Sequence, residues 1–390
     1  MLLERAYRIP SKSFFLFGPR GVGKSTWIKQ RGGFDLAIDL LRHSVFLELQ
    51  RDPSLLEAKT ANLKAGATIF IDEIQKLPEL LDEVHRLMED RKLEFILTGS
   101  SARKLKRAGA NLLGGRAHTY KMFPLTVKEL GDLFSVDDLL VHGSLPVVLR
   151  DPSLGDETLA SYVGTYLREE IKEEALVRRV EEFSRFLTIA GQLNATVLNF
   201  ENVARDTGKS GKTIQGWYEI LQETLLGRYV EPWRPGFKVR ESGHPKFYWF
   251  DAGVARVASG LAPRDVDNTW KGFAFEGLVF NELQAYLELS RKGFSISYYG
   301  TPGAGEIDFV VETRPKTINR PPEFVTIEVK YSRVWKREFE GPSRSLRSIR
   351  PESHKRMLGV YMGDEALGFD GFEVYPVRQF VEQLHHGMIF

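Results

Sequence analysis

The sequence predicts an α/β protein in three parts: an α/β first part, a helical middle part and an α/β last part. Three observations lead to this prediction. First, an apolar run at the start of 13–29 is followed by a glycine-rich loop and then by a stretch that is compatible with a helix. Second, two further apolar runs of strand length follow in the first part. Third, stretches with the residue alternation of β-strands lie within 294–331. For a chain of 390 residues we expect two or three domains. The predicted domains span 1–150, 151–265 and 266–390.

The composition is that of a folded protein, with 42% hydrophobic and 27% charged residues, which excludes disordered and low-complexity classes. No apolar run approaches the roughly 18 residues of a membrane helix and no signal peptide precedes the first charges, so we expect a cytoplasmic protein without a membrane partner. The absence of cysteine excludes disulfides, zinc–thiolate sites and cysteine nucleophiles. A net charge of +2 excludes a strongly basic nucleic-acid coat but leaves a local basic surface open.

The first apolar run, Ser13 to Phe17, leads directly into a loop with the spacing G-x-x-x-x-G-K-[ST]. Glycines in such a loop let backbone N–H groups surround phosphates, while its lysine reaches the β- and γ-phosphates and its serine ligates Mg²⁺. We therefore predict ATP and Mg²⁺ as cofactors, with Ser25 as a metal ligand. The residues predicted to bind ATP are Gly18, Pro19, Arg20, Gly21, Val22, Gly23, Lys24, Ser25 and Thr26. A plain glycine turn between a strand and a helix is the alternative.

The second apolar run, Ala67 to Ile71, ends in Asp72 and Glu73, as expected of a buried parallel strand that carries carboxylates at its carboxyl end. We predict that Asp72 holds Mg²⁺, through water, and that Glu73 polarises the attacking water. The alternative is that one carboxylate caps the helix that follows. The catalytic roles and the helix-capping role are compatible with each other.

The third apolar run, Leu93 to Leu97, ends in small hydroxyl residues, among which Ser100 is the candidate γ-phosphate sensor. A simple Gly-Ser turn is the alternative. Arg116 follows a glycine pair and is a candidate arginine finger, directed at the nucleotide of a neighbouring subunit. A solvated surface arginine is the alternative for that position.

These motifs resemble those of the prokaryotic AAA-type P-loop ATPases that are fused to a C-terminal domain of formerly unknown function. The similar stretches run over nearly the whole chain and include GPRGVGKST, TIFIDEIQKLPEL, LTGSSARKL, GGRAHTYKMFPLTVKEL, GSLPVVL, KFYWFDAGV and FEGLVFNEL. The resemblance implies an AAA-type ATPase domain, a winged-helix connector and a C-terminal domain similar to restriction-endonuclease folds. It also implies a homo-oligomer, with a hexamer as one candidate.

The middle part begins with a predicted helical linker or lid from Asp156 to about Leu187. The stretch Phe200 to Leu221 then has helix-turn-helix patterning, and basic and aromatic residues alternate across the turns of a predicted β-wing. Five basic residues are predicted to meet DNA phosphates: Lys209, Lys212, Arg234, Lys238 and Arg240. A packing module without DNA contact is the alternative. The basic stretch 331–357 is a second candidate DNA surface, with a solvated amphipathic helix as its alternative.

The last part carries four spaced residues of a nuclease type. Glu276 interrupts the buried face of a predicted helix, Asp308 lies in the second strand of a hairpin, and Glu328 and Lys330 share one face of a third strand. The pattern resembles the PD-D/E-x-K nuclease site, although no proline precedes the aspartate.

In that resemblance Asp308 and Glu328 ligate Mg²⁺, Glu276 supports the metal, and Lys330 orients or activates water. A cross-strand ion pair between Glu328 and Lys330 is the alternative. The sequence thus predicts an ATP-hydrolysing enzyme whose nucleotide cycle controls a Mg²⁺-dependent, nuclease-like domain on DNA. The alternatives are a nucleotide-switched DNA- or protein-binding module and a protein-remodelling oligomer, both without nuclease activity.

Overall fold

The structure is a computed structural model that describes most of the chain. The described residues are 4–7, 13–103, 105, 113–133, 135–167, 180–234, 243–262, 266–301 and 305–390. Within these residues no helix combines the length and the apolar character that are needed to cross a lipid bilayer.

The N-terminal part is built on a five-stranded parallel sheet. Its strands are β1 (Phe14–Phe17), β2 (Leu36–Asp39), β3 (Thr68–Asp72), β4 (Glu94–Gly99) and β5 (His118–Lys121). The order across the sheet is β2-β3-β4-β1-β5, and each neighbouring pair is parallel. The carboxyl ends of β3, β4 and β1 therefore lie side by side at one edge of the sheet. The three strands predicted from the apolar runs are confirmed.

Both faces of this sheet are buried, which is why its strands are continuous apolar runs rather than alternating ones. Phe14 and Leu16 pack into one core cluster, and Phe15 and Phe17, on the opposite face, pack into another. The helices of this part are α1 (Lys24–Arg31), α2 (His43–Arg51), α3 (Leu55–Thr60) and α4 (Leu80–Arg91). This parallel sheet with its helices confirms the α/β class that was predicted for the first part.

Short helices follow the sheet and lead into the middle part. They are α5 (Val127–Leu130), α6 (Val136–His142), α7 (Pro146–Leu149), α8 (Gly155–Ser161) and a π-helical turn (Tyr162–Leu167). The predicted linker helix corresponds in part to α8, and its stretch 168–179 lies outside the described residues.

The middle part contains helices and a small hairpin. Its elements are α9 (Val180–Gln192), α10 (Phe200–Thr207), α11 (Gly211–Glu223), β6 (Gly227–Val230), antiparallel β7 (Lys246–Trp249) and α12 (Ala252–Ala258). The side chains of Asn199 and Ser210 cap α10 and α11, and Gly208 ends α10 at a φ of 67°. The two helices and the turn predicted here are confirmed, while the winged-helix class stays a prediction.

The C-terminal part packs a long helix against a mixed sheet of six strands. Its elements are α13 (Asn268–Ser290), β8 (Ser295–Thr301), β9 (Gly305–Arg314), β10 (Glu323–Lys330), α14 (Gly341–Ile349), β11 (His354–Tyr361), β12 (Leu367–Phe369), β13 (Phe372–Pro376) and α15 (Val377–His385). The order is β12-β13-β11-β10-β9-β8. The predicted hairpin and third strand are confirmed, and residues 302–304 of the predicted turn lie outside the described residues. The nuclease-like class stays a prediction.

Buried polar contacts join the three parts. Glu282 and Glu288 of α13 accept hydrogen bonds from the backbone N–H groups of Val127 (2.6 Å) and Lys121 (3.0 Å). Asp251, which caps α12, also accepts a hydrogen bond from the backbone N–H of Ser144 (2.7 Å). The helix that carries Glu276 is therefore fixed directly to the N-terminal part of the chain.

A buried histidine makes the stability of the C-terminal sheet sensitive to acid. His354 is 0% exposed, stacks on Phe324 and shares a 2.8 Å hydrogen bond with Thr326. Burial, with the nearby charge of Arg347, lowers its pKa to about 4. Because the unfolded chain binds this proton more readily, stability is lost as the pH falls from 6.5 towards 4.

We expect the contribution of His354 to cost about 1.4 kcal/mol of unfolding free energy between pH 8 and pH 5.5. His354→Gln removes the titrating group, so the variant should lose less stability over this range than the parent. Urea unfolding at both pH values measures the difference. Identical losses in the two proteins would contradict the prediction.

Candidate functional site

The loop between β1 and α1 needs glycine at three of its positions. A Cβ atom at Gly18 would lie 2.5 Å from the backbone oxygen of Met122, which cannot yield without moving β5. Gly21 and Gly23 have φ values of 81° and 92°, which side-chain-bearing residues rarely adopt. The loop thus keeps its backbone open and close to the sheet edge, as phosphate binding requires.

Lys24 is held inside this loop. The residue is 5% exposed, and its Nζ donates to the backbone oxygens of Gly18 (2.6 Å) and Pro19 (3.0 Å). Because its ammonium group is hydrogen-bonded to carbonyl groups of the loop, it lies beside the backbone that phosphates would contact. The role of Lys24 at the β- and γ-phosphates stays a prediction.

Hydroxyl groups from two segments converge on Asp72 at the end of β3. Its Oδ1 accepts hydrogen bonds from Ser25 Oγ (2.6 Å) and Thr98 Oγ1 (2.5 Å), and its Oδ2 lies 3.4 Å from Lys29 Nζ. Thr98 comes from β4, which is adjacent to β3 in the sheet. Thr98 belongs to the stretch of small hydroxyl residues that the sequence indicated, but its contact with Asp72 was not predicted, because that contact depends on strand order.

Glu73 has a backbone conformation that is uncommon for a residue with a side chain, with φ 62° and ψ 46°. Its backbone N–H donates to Thr98 Oγ1 (3.3 Å), and its Oε2 accepts from Gln75 Nε2 (2.6 Å). The same Gln75 nitrogen donates to Ser100 Oγ (3.3 Å). Glu73 and Ser100, two residues predicted from sequence, are thus joined through Gln75, which sequence reasoning missed.

A cavity of about 790 Å³ opens beside the loop. This volume lies within the range that is usual for small-molecule binding sites. Its other wall comes from the segment 146–162, which includes Pro146, Arg150 and Tyr162. Tyr162 donates its hydroxyl hydrogen to the backbone oxygen of Arg20 (3.0 Å), which ties this wall to the loop. The sequence offered the stretch GSLPVVL and a helical linker or lid from Asp156 in this region, but neither was assigned to the nucleotide site.

The residues present fit a nucleotide with Mg²⁺. The cavity has room for the nucleotide, and its floor is glycine backbone at the amino end of α1, which favours anions. Ser25 Oγ and Asp72 Oδ1 supply hard oxygen ligands 2.6 Å apart, which is the donor chemistry that Mg²⁺ prefers.

Arg116 is engaged on its own subunit. Its Nε pairs with Glu89 of α4, and its side chain is 44% exposed. The charge of Arg116 lowers the pKa of Glu89. Both side chains of this pair are partly exposed, and exposed ion pairs contribute little to stability.

The structure brings together the residues that the sequence predicted in the C-terminal part. Lys330 Nζ lies 2.5 Å from Glu328 Oε1 and 3.7 Å from Asp308 Oδ2. Asp308 Oδ2 also accepts from the backbone N–H of Val329 (2.7 Å). The expectation that Glu328 and Lys330 share a face is confirmed, and Asp308 of the neighbouring strand lies against both.

Glu276 enters this cluster from α13 and has partners that the sequence did not reveal. Its Oε1 accepts from Lys246 Nζ (2.8 Å) and from the hydroxyl of Tyr248. Lys246 also lies 2.5 Å from Glu306 Oε1. We call this set the acidic cluster: Glu276, Glu306, Asp308 and Glu328 with Lys246 and Lys330. Both Lys246 and Tyr248 belong to β7 of the middle part, whose alternation of polar and aromatic residues was the only signal.

Burial and like charges dominate the electrostatics of the acidic cluster. Burial, together with Asp308, raises the pKa of Glu276 to about 7 and holds the pKa of Glu328 well above its usual range. Burial alone would lower the pKa of Lys246 and Lys330, but the surrounding carboxylates outweigh it and raise both. Both lysines therefore carry their charge at neutral pH.

The basic residues predicted to meet DNA differ in their surroundings. Lys209 pairs with Glu182 (2.6 Å), whereas Lys212 and Arg234 are exposed. Lys238 and Arg240 lie outside the described residues. In the basic stretch 331–357, Arg337 and Arg344 both pair with the buried Glu340, so part of its charge is neutralised within the fold.

Comparison with known proteins assigns the first part of the chain. A family model described as "AAA domain" matches residues 10–131. The chain carries an AAA-type ATPase domain. Two families described as domains of unknown function (DUF8612 and DUF4143) match residues 133–265 and 271–380. These matches place no activity on the middle and last parts.

Several relatives extend across more than one of these parts. An uncharacterized protein of Mycobacterium tuberculosis is 26% identical over 306 residues, which covers 76% of this chain and 67% of that protein. An uncharacterized protein of Methanocaldococcus jannaschii is 22% identical over 337 residues, or 78% of this chain and 73% of that protein. The Holliday junction branch migration complex subunit RuvB of Rippkaea orientalis is 27% identical, over 55% of this chain and 71% of its own. A RuvB structure of Thermotoga maritima aligns with 56% of this chain and 82% of its own at 18% identity, but its TM-score of 0.26 is too low to relate the folds.

Proposed function

We propose that this protein binds ATP with Mg²⁺ and hydrolyses it at the edge of the parallel sheet, and that the nucleotide cycle controls the C-terminal part. One observation carries the proposal. Ser25 and Thr98 converge on Asp72 beside a glycine loop that holds Lys24, and Glu73 follows at the same edge. Phosphoryl transfer depends on such positioning and charge neutralisation more than on covalent chemistry.

Each residue has a distinct part in this proposal. Lys24 and the loop N–H groups bind the phosphates, and Ser25 and Asp72 hold Mg²⁺, which supplies charge neutralisation at the phosphates. Glu73 orients and polarises the attacking water, and Ser100, linked to Glu73 through Gln75, senses the γ-phosphate. The segment 146–162, which forms the other wall of the cavity, covers the bound nucleotide in this proposal. The hydrogen bond from Tyr162 to Arg20 of the loop supports this role.

We further propose a homo-oligomer, with a hexamer as one candidate, in which Arg116 acts on a neighbouring subunit's nucleotide. Arg116 is half-exposed and its pair with Glu89 is a surface pair, so it is available for exchange. Light scattering with and without a nucleotide analogue tests the assembly. A monomer under both conditions would refute this part.

For the C-terminal part we propose a Mg²⁺-dependent nuclease-like activity on DNA, in which Asp308 and Glu328 ligate the metal, Glu276 supports it and Lys330 orients water. The observation in its favour is that Lys330 pairs with both Glu328 and Asp308, and that buried Glu276 lies near enough to Asp308 for the charge of Asp308 to help raise its pKa. Exposed Lys212 and Arg234 support a DNA surface. The alternative is a nucleotide-switched or protein-remodelling oligomer that cuts nothing.

One experiment separates these proposals. Mg²⁺-dependent ATP turnover is measured without DNA, with plasmid DNA and with a four-way junction, since one relative is a RuvB subunit. Nicking is scored in the same reactions for the parent, Asp308→Ala and the exposed control Asp364→Ala. Nicking that only Asp308→Ala abolishes supports the nuclease. Turnover without nicking favours the alternative, and no turnover refutes the ATPase proposal.

A further inference from the structure

One charged residue of the acidic cluster does not come from the C-terminal part. Lys246 lies on β7 of the middle part, is 3% exposed, and joins Glu276 of α13 (2.8 Å) to Glu306 of β9 (2.5 Å). Its ammonium thus links two C-terminal elements from outside their sheet. In a buried site, an ammonium between carboxylates takes the place that a bound cation would otherwise have.

The chain that leaves β6 and the chain that enters β7 are both fastened to the edge of the C-terminal sheet. The backbone N–H of Trp233 donates to the oxygen of Tyr298 on β8 (2.6 Å), and the N–H of Tyr298 donates to the oxygen of Glu231 (3.1 Å). The hydroxyl of Tyr298 donates to the backbone oxygen of His244, two residues before Lys246 (2.6 Å). These bonds hold Lys246 against the acidic cluster.

Carboxyl groups outnumber lysines in the acidic cluster. Four carboxyl groups lie around two ammonium groups. In addition, Oε2 of Glu328 has no hydrogen-bond partner, although the residue is only 3% exposed. An unsatisfied buried carboxyl oxygen among other carboxyl groups is suited to one divalent cation.

Lys246 competes with such a cation. Glu276 Oε1 already accepts hydrogen bonds from Lys246 and Tyr248, which turns this carboxylate towards β7. Over the described part of the chain, no three acidic or histidine side chains are arranged to hold a metal ion. Glu276 can join Asp308 and Glu328 around a cation only when the ammonium withdraws.

We infer that Lys246 is an internal latch: its ammonium keeps the acidic cluster closed and free of metal, and its removal opens a site for one divalent cation. This inference rests on the proposed metal role of Asp308 and Glu328 and adds its regulation. It makes the hairpin of the middle part the element that must move before the C-terminal site can act.

The test is a Mn²⁺ titration of full-length protein without nucleotide, followed by electron paramagnetic resonance of free Mn²⁺. Without phosphates the loop site binds such cations weakly. The proteins are the parent, Lys246→Met, Lys246→Met with Glu328→Gln, and the control Lys209→Met, which removes another paired lysine of the middle part. ATP turnover of the same preparations reports separately on the proposed ATPase function.

We expect Lys246→Met to bind one Mn²⁺ per chain at least tenfold more tightly than the parent and Lys209→Met. The added Glu328→Gln should remove this gain. Mn²⁺ should also raise the melting temperature of Lys246→Met more than that of the parent, because the cation neutralises the carboxylates that the variant leaves unpaired. Equal affinity in Lys246→Met and Lys209→Met, or a gain that survives Glu328→Gln, would overturn the latch.

A second measurement does not require Lys246→Met to fold. With the latch in place, Glu328→Gln on its own should leave Mn²⁺ binding in nucleotide-free buffer unchanged. If the parent binds Mn²⁺ tightly and Glu328→Gln abolishes that binding, the acidic cluster is already open and the inference is wrong.

Discussion

Lys24→Ala is expected to lower Mg²⁺-dependent ATP turnover by roughly 100-fold or more, the size of effect seen when one preorganised charge-stabilising group is removed. Lys24 is the ammonium held within the glycine loop, where it donates to Gly18 and Pro19. Alanine keeps the helix start intact, since alanine favours helices, but it removes the charge that would face the β- and γ-phosphates. Steady-state phosphate release measures the effect.

The matched control for this change is Lys64→Ala, which removes an exposed lysine of the same part of the chain. Turnover of that variant should equal the parent's. Circular dichroism of both variants verifies the fold. Full turnover by a folded Lys24→Ala protein would refute the assignment of the loop as the site of ATP hydrolysis.

Glu73→Gln is expected to lower turnover by about 100-fold or more while ATP binding is retained. Glutamine has nearly the same shape as glutamate but cannot accept a proton from water, so it removes general-base chemistry and leaves the phosphate contacts of the loop in place. The variant should therefore accumulate bound, unhydrolysed ATP. Binding of a fluorescent ATP analogue and single-turnover hydrolysis together measure the two effects.

Glu79→Gln makes the same chemical change six residues along, at an exposed position outside the cavity, and should leave turnover unchanged. A loss of nucleotide binding in Glu73→Gln would show that Glu73 supports the loop rather than the water. The contacts behind such a result would be the hydrogen bonds from Gln75 to Glu73 and to Ser100. Gln75→Ala would then give the same loss.

The loop and the strands around it could be predicted because their signals are local. The run ending at Phe17, the glycine spacing and the carboxylates after Ile71 are each contained in a few consecutive residues. The period-two alternation of a strand likewise placed Glu328 and Lys330 on one face, and the 2.5 Å contact between them confirms that expectation.

The partners of these residues could not be predicted, because they come from segments far away in the sequence. Thr98 reaches Asp72 only because β4 lies between β3 and β1, and Tyr162 reaches Arg20 only through the segment that closes the cavity. A buried Glu276 requires a partner, but nothing in the sequence distinguishes Lys246 from the other lysines as that partner.

By itself, the sequence determined the chemical groups of both sites: a loop with the spacing for phosphate, carboxylates after buried strands, and the four spaced residues of the last part. Backbone conformation and strand periodicity depend on neighbouring residues. The loop, the carboxylates and the spaced residues can therefore be recognised from short stretches of sequence. Only the tertiary structure decided which groups meet, because contacts such as Ser25 with Asp72 and Lys246 with Glu276 depend on strand order and on the packing of one part against another.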